Sequence, residues 1–142
     1  FRSMVEGAEE MGGPSTPLDD PRLTRFGKFL KRFQLDEFPQ LINVFKGEMS
    51  LVGPRPEVPQ YVDKMTEEEK RIILSVEPGM TDLASLWNFH EGEILKGSKD
   101  PEKTYLEEIR PKKIQLQVEY VKSRSLWLDL KIIFRTILKI FQ

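Results

Sequence analysis

Leu35-Asp36-Glu37-Phe38-Pro39-Gln40-Leu41-Ile42-Asn43-Val44-Phe45-Lys46-Gly47-Glu48-Met49-Ser50-Leu51-Val52-Gly53-Pro54-Arg55-Pro56 reads as a helix, a short strand and a stiff turn in succession. Leu35, Phe38, Leu41, Ile42 and Phe45 recur at helical spacing and predict a helix from about Gln34 to Gly47. Pro39 falls in or just after its first turn, where a missing N–H costs least. Met49 to Val52 is a short apolar run that suits a strand, and Gly53-Pro54-Arg55-Pro56 forces a turn.

Working outward, Asp20-Pro21 predicts a preceding helix, with Asp20 as cap and Leu23, Phe26, Leu30 and Phe33 as its apolar face. The rest of that surface is basic: Arg22, Arg25, Lys28, Lys31 and Arg32. Thr66-Glu67-Glu68-Glu69 is a capping box that opens a helix to about Leu74. Glu77-Pro78-Gly79 is expected to turn, and Thr81 to Phe89 to be extended. Asp100-Pro101 and Arg110-Pro111 each predict a helix start, and Ser125 caps a last helix from about Leu126 to Phe141. The result is a mainly helical α/β domain over residues 1–142 with a small β element.

Composition narrows the chemistry. The chain has 142 residues and a net charge of -1, so an anion-binding role requires local clustering and nothing global favours nucleic acid. Cysteine is absent, which excludes disulfides, thiolate nucleophiles and cysteine-ligated metals. The single His90 cannot build a histidine metal site alone. There is no secretory signal at the start, no apolar run of about 20 residues, and no initiator Met, which suggests a piece of a longer protein.

Two adjacent carboxylates, Asp36 and Glu37, follow directly on the basic cluster. They are either ordinary acids at a helix start or a working pair, one attacking phosphorus while the other holds a divalent cation. Likewise the five cations Arg22, Arg25, Lys28, Lys31 and Arg32 are either a solvated face or compensation for a bound diphosphate. Arg55 between two prolines offers a guanidinium of restricted freedom, suited to bidentate phosphate recognition. In the last helix Lys131, Arg135 and Lys139 recur every four residues beside a wide apolar arc with Trp127 and Phe134. That helix either packs on the core or lies along a membrane surface.

Five motifs stand in one order: Phe1-Arg2-Ser3-Met4, Asp20-Pro21-Arg22-Leu23-Thr24-Arg25, Leu35 to Leu41, Asn43 to Pro56, and Pro78-Gly79-Met80-Thr81. With them the chain resembles the bacterial sugar transferases, or monotopic phosphoglycosyl transferases, over nearly its whole length. The resemblance implies a compact, mainly helical α/β catalytic domain with amphipathic interfacial helices. It implies transfer of a sugar-1-phosphate from a UDP-sugar to a polyprenyl (undecaprenyl) phosphate, with release of UMP through a covalent phosphosugar-aspartate. This is a first membrane step of bacterial glycoconjugate assembly, at the cytoplasmic face of the inner membrane. Asp36 would be the nucleophile, Glu37 the Mg²⁺ ligand, and Arg55, Lys31, Arg32 and Arg25 the phosphate-binding cations. Trp127, Lys131, Phe134, Arg135 and Lys139 would meet the membrane surface. A catalytic domain without the family's N-terminal re-entrant membrane helix ahead of Phe1 is expected, and Asp82 and Ser85 stand where many members read Gly and Gln. The competing reading is a non-catalytic membrane-surface module; nucleic acid is not an expected partner.

Overall fold

A computed structural model describes residues 3–7, 20–32, 35–88, 95 and 99–140, with the side chains of Lys31, Arg32 and Asp36 outside that set. In chain order the described helices are α1 (Arg25–Arg32), α2 (Gln40–Phe45), α3 (Pro59–Val62), α4 (Glu67–Ile73), α5 (Leu83–Trp87), α6 (Pro101–Thr104), α7 (Arg110–Ser123) and α8 (Leu126–Ile140). The strands are β1 (Ser50–Val52) and β2 (Gly79–Thr81). The chain divides into two units, Phe1–Pro39 with His90–Pro111, and Gln40–Phe89 with Lys112–Gln142.

In the first unit the helix α1 begins later than Asp20-Pro21 predicts. Thr24 caps it, its hydroxyl accepting from the Gly27 amide at 2.8 Å. Asp20 instead takes Arg22: the guanidinium Nη2 donates to Oδ2 at 2.7 Å, and both residues are buried. Asp20 Oδ1 also accepts from the Arg22 amide at 2.9 Å, so its carboxylate closes a turn ahead of the helix and draws Arg22 out of the exposed basic surface. Met4 forms an antiparallel bridge with Leu23. The segment beside Met4 lies so close to α1 that a β-carbon on Gly27 would overlap the Ser3 carbonyl. Leu23 and Leu30 are buried as expected, whereas Phe26 and Phe29 are exposed and stack at 6.4 Å. Phe33 lies outside the described residues.

The predicted helix from Gln34 to Gly47 is split. Leu35–Glu37 forms a single 3₁₀ turn, and α2 starts only at Gln40. Proline supplies no N–H and disfavours helical backbone at the residue before it, so Pro39 ends one helical segment and a new one starts after it. Further on, Asp100 caps α6 through the Lys103 amide, as its Asp-Pro signature predicts. Arg110-Pro111 does not start a fresh helix from a loop. A π-helical turn over Tyr105–Ile109 runs straight into α7. Pro111 has no amide to bond back one turn, and an adjoining wide turn is a common way to relieve that.

The second unit is built on a parallel pair, Ser50 opposite Gly79 and Val52 opposite Thr81. The capping box at Thr66 is present in full, with Glu69 returning to the Thr66 amide at 2.8 Å. The extended run expected from Thr81 to Phe89 ends at Thr81. Asp82 then caps α5, accepting from the Ser85 amide at 2.7 Å. The core gathers Val52, Leu86, Tyr120 and Ile132, with Leu83, Val121, Leu128 and Ile133 against them. A second cluster joins Met65, Ile73 and Ile114.

Candidate active site

Asp36 and Glu37 lie in the 3₁₀ turn of the first unit and not in the first turn of a regular helix. The helix start expected at this pair is therefore replaced by a single turn, and three residues of 3₁₀ turn carry little macrodipole to hold a carboxylate ionised. Glu37 is half-exposed, as is Leu35, while Phe38 is exposed. Arg25 and Lys28 are exposed on α1. The side chains of Asp36, Lys31 and Arg32 lie outside the described residues, as does His90.

Arg55 belongs to the second unit, in the loop that leaves the C-terminal end of β1. Its side chain is half-exposed between a buried Pro54 and an exposed Pro56. Backbone bonds hold the root of this loop. Gly53 N donates to Thr81 O and Gly79 N donates to Pro54 O, each at 2.9 Å. Gly79 of β2 touches Gly53 of the loop there, backbone to backbone, and a β-carbon on Gly53 would stand 2.8 Å from the Glu77 carbonyl. Proline on both sides narrows the φ range still open to the chain, so the loop presents Arg55 with few backbone alternatives. An open pocket of about 500 Å³ lies beside the loop root, lined by Gly53, Glu77, Tyr120, Arg124 and Asp129 among others; Arg55 is not in its wall.

Three features escaped the sequence. Tyr120 is buried, and its hydroxyl faces Asp129 Oδ1 at 2.8 Å and the Val52 carbonyl at 3.3 Å. Burial, reinforced by the bond to Asp129, pushes its phenol above the ordinary tyrosine range. Thr136 meets Thr81 hydroxyl to hydroxyl at 2.9 Å, fastening α8 to the end of β2. Asp82 is fully buried, with one oxygen capping α5. Of these, only Asp82 had a local signal, an acidic residue just before a helical stretch.

Helix α8 has two faces. Asp129, Ile132 and Thr136 point inward. Leu126, Trp127, Leu130, Phe134, Ile137 and Leu138 are exposed, Trp127 at 77% and Phe134 at 63%. At 100° per residue these six fall within an arc of about 120°. Lys131 and Arg135 are exposed and border that arc. Lys139, expected to face headgroups with them, turns inward and donates to the Leu86 carbonyl near the end of α5. The rotation per residue explains the difference: after two steps of four the stripe has moved about 80° round the helix. No helix among the described residues is long and apolar enough to cross a membrane.

The family model for bacterial sugar transferases matches residues 1–142. The chain belongs to the bacterial sugar transferase family. An undecaprenyl-phosphate glucose phosphotransferase of Komagataeibacter xylinus is 38% identical over 96% of the chain and 25% of its own length. A UDP-N-acetylgalactosamine-undecaprenyl-phosphate N-acetylgalactosaminephosphotransferase of Aeromonas hydrophila is 36% identical over 96% of the chain and 30% of its length. A UDP-glucose:undecaprenyl-phosphate glucose-1-phosphate transferase of Escherichia coli K12 is 36% identical over 99% of the chain and 28% of its length. This bacterial sugar transferase chain thus spans under a third of the length of these relatives.

Proposed function

We propose that the chain is the catalytic part of an enzyme that transfers a sugar-1-phosphate from a UDP-sugar to a membrane polyprenyl phosphate. The observation that carries this reading is the family match along the whole chain, with relatives named for phosphotransfer to undecaprenyl phosphate. In this reading the Asp36 carboxylate attacks the sugar-bearing phosphorus. The phosphoanhydride bond breaks, its electron pair leaves with UMP, and the phosphosugar remains on Asp36 as an acyl phosphate. An oxygen of the polyprenyl phosphate then attacks the same phosphorus and frees the carboxylate. Arg55, held in its proline-flanked loop, grips phosphate oxygens as a planar fork.

Mg²⁺ fits the donors present. Glu37 offers the hard oxygens of a single carboxylate. That suits an ion which keeps several waters and takes substrate phosphate oxygens. When bound, it supplies positive charge that offsets the diphosphate. Glu37 would hold it.

The exposed apolar arc of α8, bordered by Lys131 and Arg135, supports attachment to an anionic membrane surface, at the cytoplasmic face where a UDP-sugar is found. It also fits a non-catalytic surface module, and one assay separates the two. The intact protein in its membrane is offered a panel of UDP-sugars with polyprenyl phosphate, and free UMP is measured. Release of UMP with one or more of them is expected; a protein that binds the membrane but releases none is the surface module.

A further inference from the structure

We propose that Tyr120 is a positioning residue for the Gly53-Pro54-Arg55-Pro56 loop, holding the Val52 carbonyl and thereby setting where Arg55 can reach. The inference rests on the phosphotransfer reading for its kinetic consequence. Val52 closes β1, so its carbonyl is the last strand position before the loop. The Tyr120 ring packs in the same core cluster as the Val52 side chain, and its hydroxyl lies 3.3 Å from the Val52 carbonyl. Arg55 is three residues on, and prolines at 54 and 56 narrow the φ range available to take up a displacement. An error at Val52 is therefore transmitted along the loop and not absorbed within it.

The phenol has one hydrogen and two acceptors. Asp129 Oδ1, on α8, is nearer at 2.8 Å than the Val52 carbonyl. Burial keeps the phenol protonated, so it remains a donor to one or the other. The seat of α8 and the root of the loop thus share a single proton. Removing Asp129 leaves Val52 as the remaining acceptor; removing the hydroxyl leaves Val52 without Tyr120.

The test measures UMP release by the intact membrane-embedded protein in Tyr120→Phe and Asp129→Ala, each with Arg55 present and with Arg55→Ala. Tyr120→Phe should lower kcat/KM about 10-fold with Arg55 present, the scale of a sub-ångström misplacement, and less than about 2-fold in the Arg55→Ala background. Asp129→Ala should stay within about 2-fold of the parent. An equal loss from Tyr120→Phe in both backgrounds overturns the proposal, because Tyr120 would not then act through Arg55. So does an Asp129→Ala loss as large as that of Tyr120→Phe, which would assign the effect to the contact between α7 and α8. Hydrogen exchange at the Gly53 and Gly79 amides covers the case in which Tyr120→Phe does not fold. Exchange in Asp129→Ala should be slower than in the parent, and unchanged or faster exchange overturns the proposal. That readout is independent of turnover, so a parent that releases no UMP sinks the phosphotransfer reading without deciding the loop.

Discussion

A β-carbon on Gly79 would stand 2.5 Å from the Cα of Gly53, well inside van der Waals contact. The backbones of β2 and of the loop after β1 meet there without any side chain between them. This approach lets Gly79 N reach Pro54 O at 2.9 Å and brings the loop carrying Arg55 back against the sheet. A glycine at each position is a packing requirement of that loop.

Gly79→Ala should therefore destabilise the fold. The added methyl meets backbone atoms, which cannot rotate away, so the cost should approach the upper end of overpacking, about 3 kcal/mol. That corresponds to a fall in Tm of roughly 10 °C. Thermal unfolding followed by circular dichroism checks it. An unchanged Tm would mean that the two backbones separate freely.

Arg55→Lys keeps the charge and loses the planar fork. If Arg55 grips a phosphate in the transition state, the substitution should lower kcat on the order of 10²-fold, with Tm nearly unchanged. Steady-state kinetics decide it. Parental kinetics in Arg55→Lys would reduce Arg55 to a generic positive charge or a structural turn.

Features encoded by neighbouring residues were legible in the sequence. The strand after Met49, the Thr66 capping box, the Asp100 and Ser125 caps and the mainly helical class all follow from short-range patterns. Pro39 is masked in the local pattern because an apolar stripe from Leu35 to Phe45 continues across a residue that breaks the backbone. Asp20 resembles a helix cap in the sequence because a buried pairing with Arg22 and a cap use the same residue type. Lys139, Tyr120 and Thr136 have partners 53 and 68 and 55 residues away, and no local pattern announces such partners. Of the candidate site, the stiff loop that carries Arg55 could be read directly from its two prolines. The glycine contact that anchors the loop could not.

The exposed arc of α8 should bind anionic vesicles. Lys131 and Arg135 border the arc, and each cation near an anionic surface contributes about 1 kcal/mol. Replacing both by Glu should weaken binding strongly, and salt should weaken binding of the parent. Co-sedimentation with and without anionic lipid measures this, and Trp127 fluorescence should shift to the blue on binding. A parent that ignores anionic vesicles at low salt, with no Trp127 shift, would remove α8 from the membrane surface.

Glu37→Gln should raise the Mg²⁺ concentration needed for half-maximal activity at least about 10-fold, since an amide oxygen replaces a charged hard donor. The measurement is a Mg²⁺ titration of UMP release. Full parental activity in EDTA, or overlapping titrations of parent and variant, would take the ion away from Glu37.

The most direct test concerns Asp36. The full-length protein, in membranes or detergent, is mixed with a UDP-sugar labelled in the sugar-bearing phosphate, without polyprenyl phosphate, and quenched for peptide mapping. One equivalent or less of UMP should appear, with the label on the peptide that contains Asp36. Asp36→Asn should take no label and release no UMP, with a Tm close to that of the parent. Label on another residue, or turnover by Asp36→Asn at the parental rate, would contradict the account.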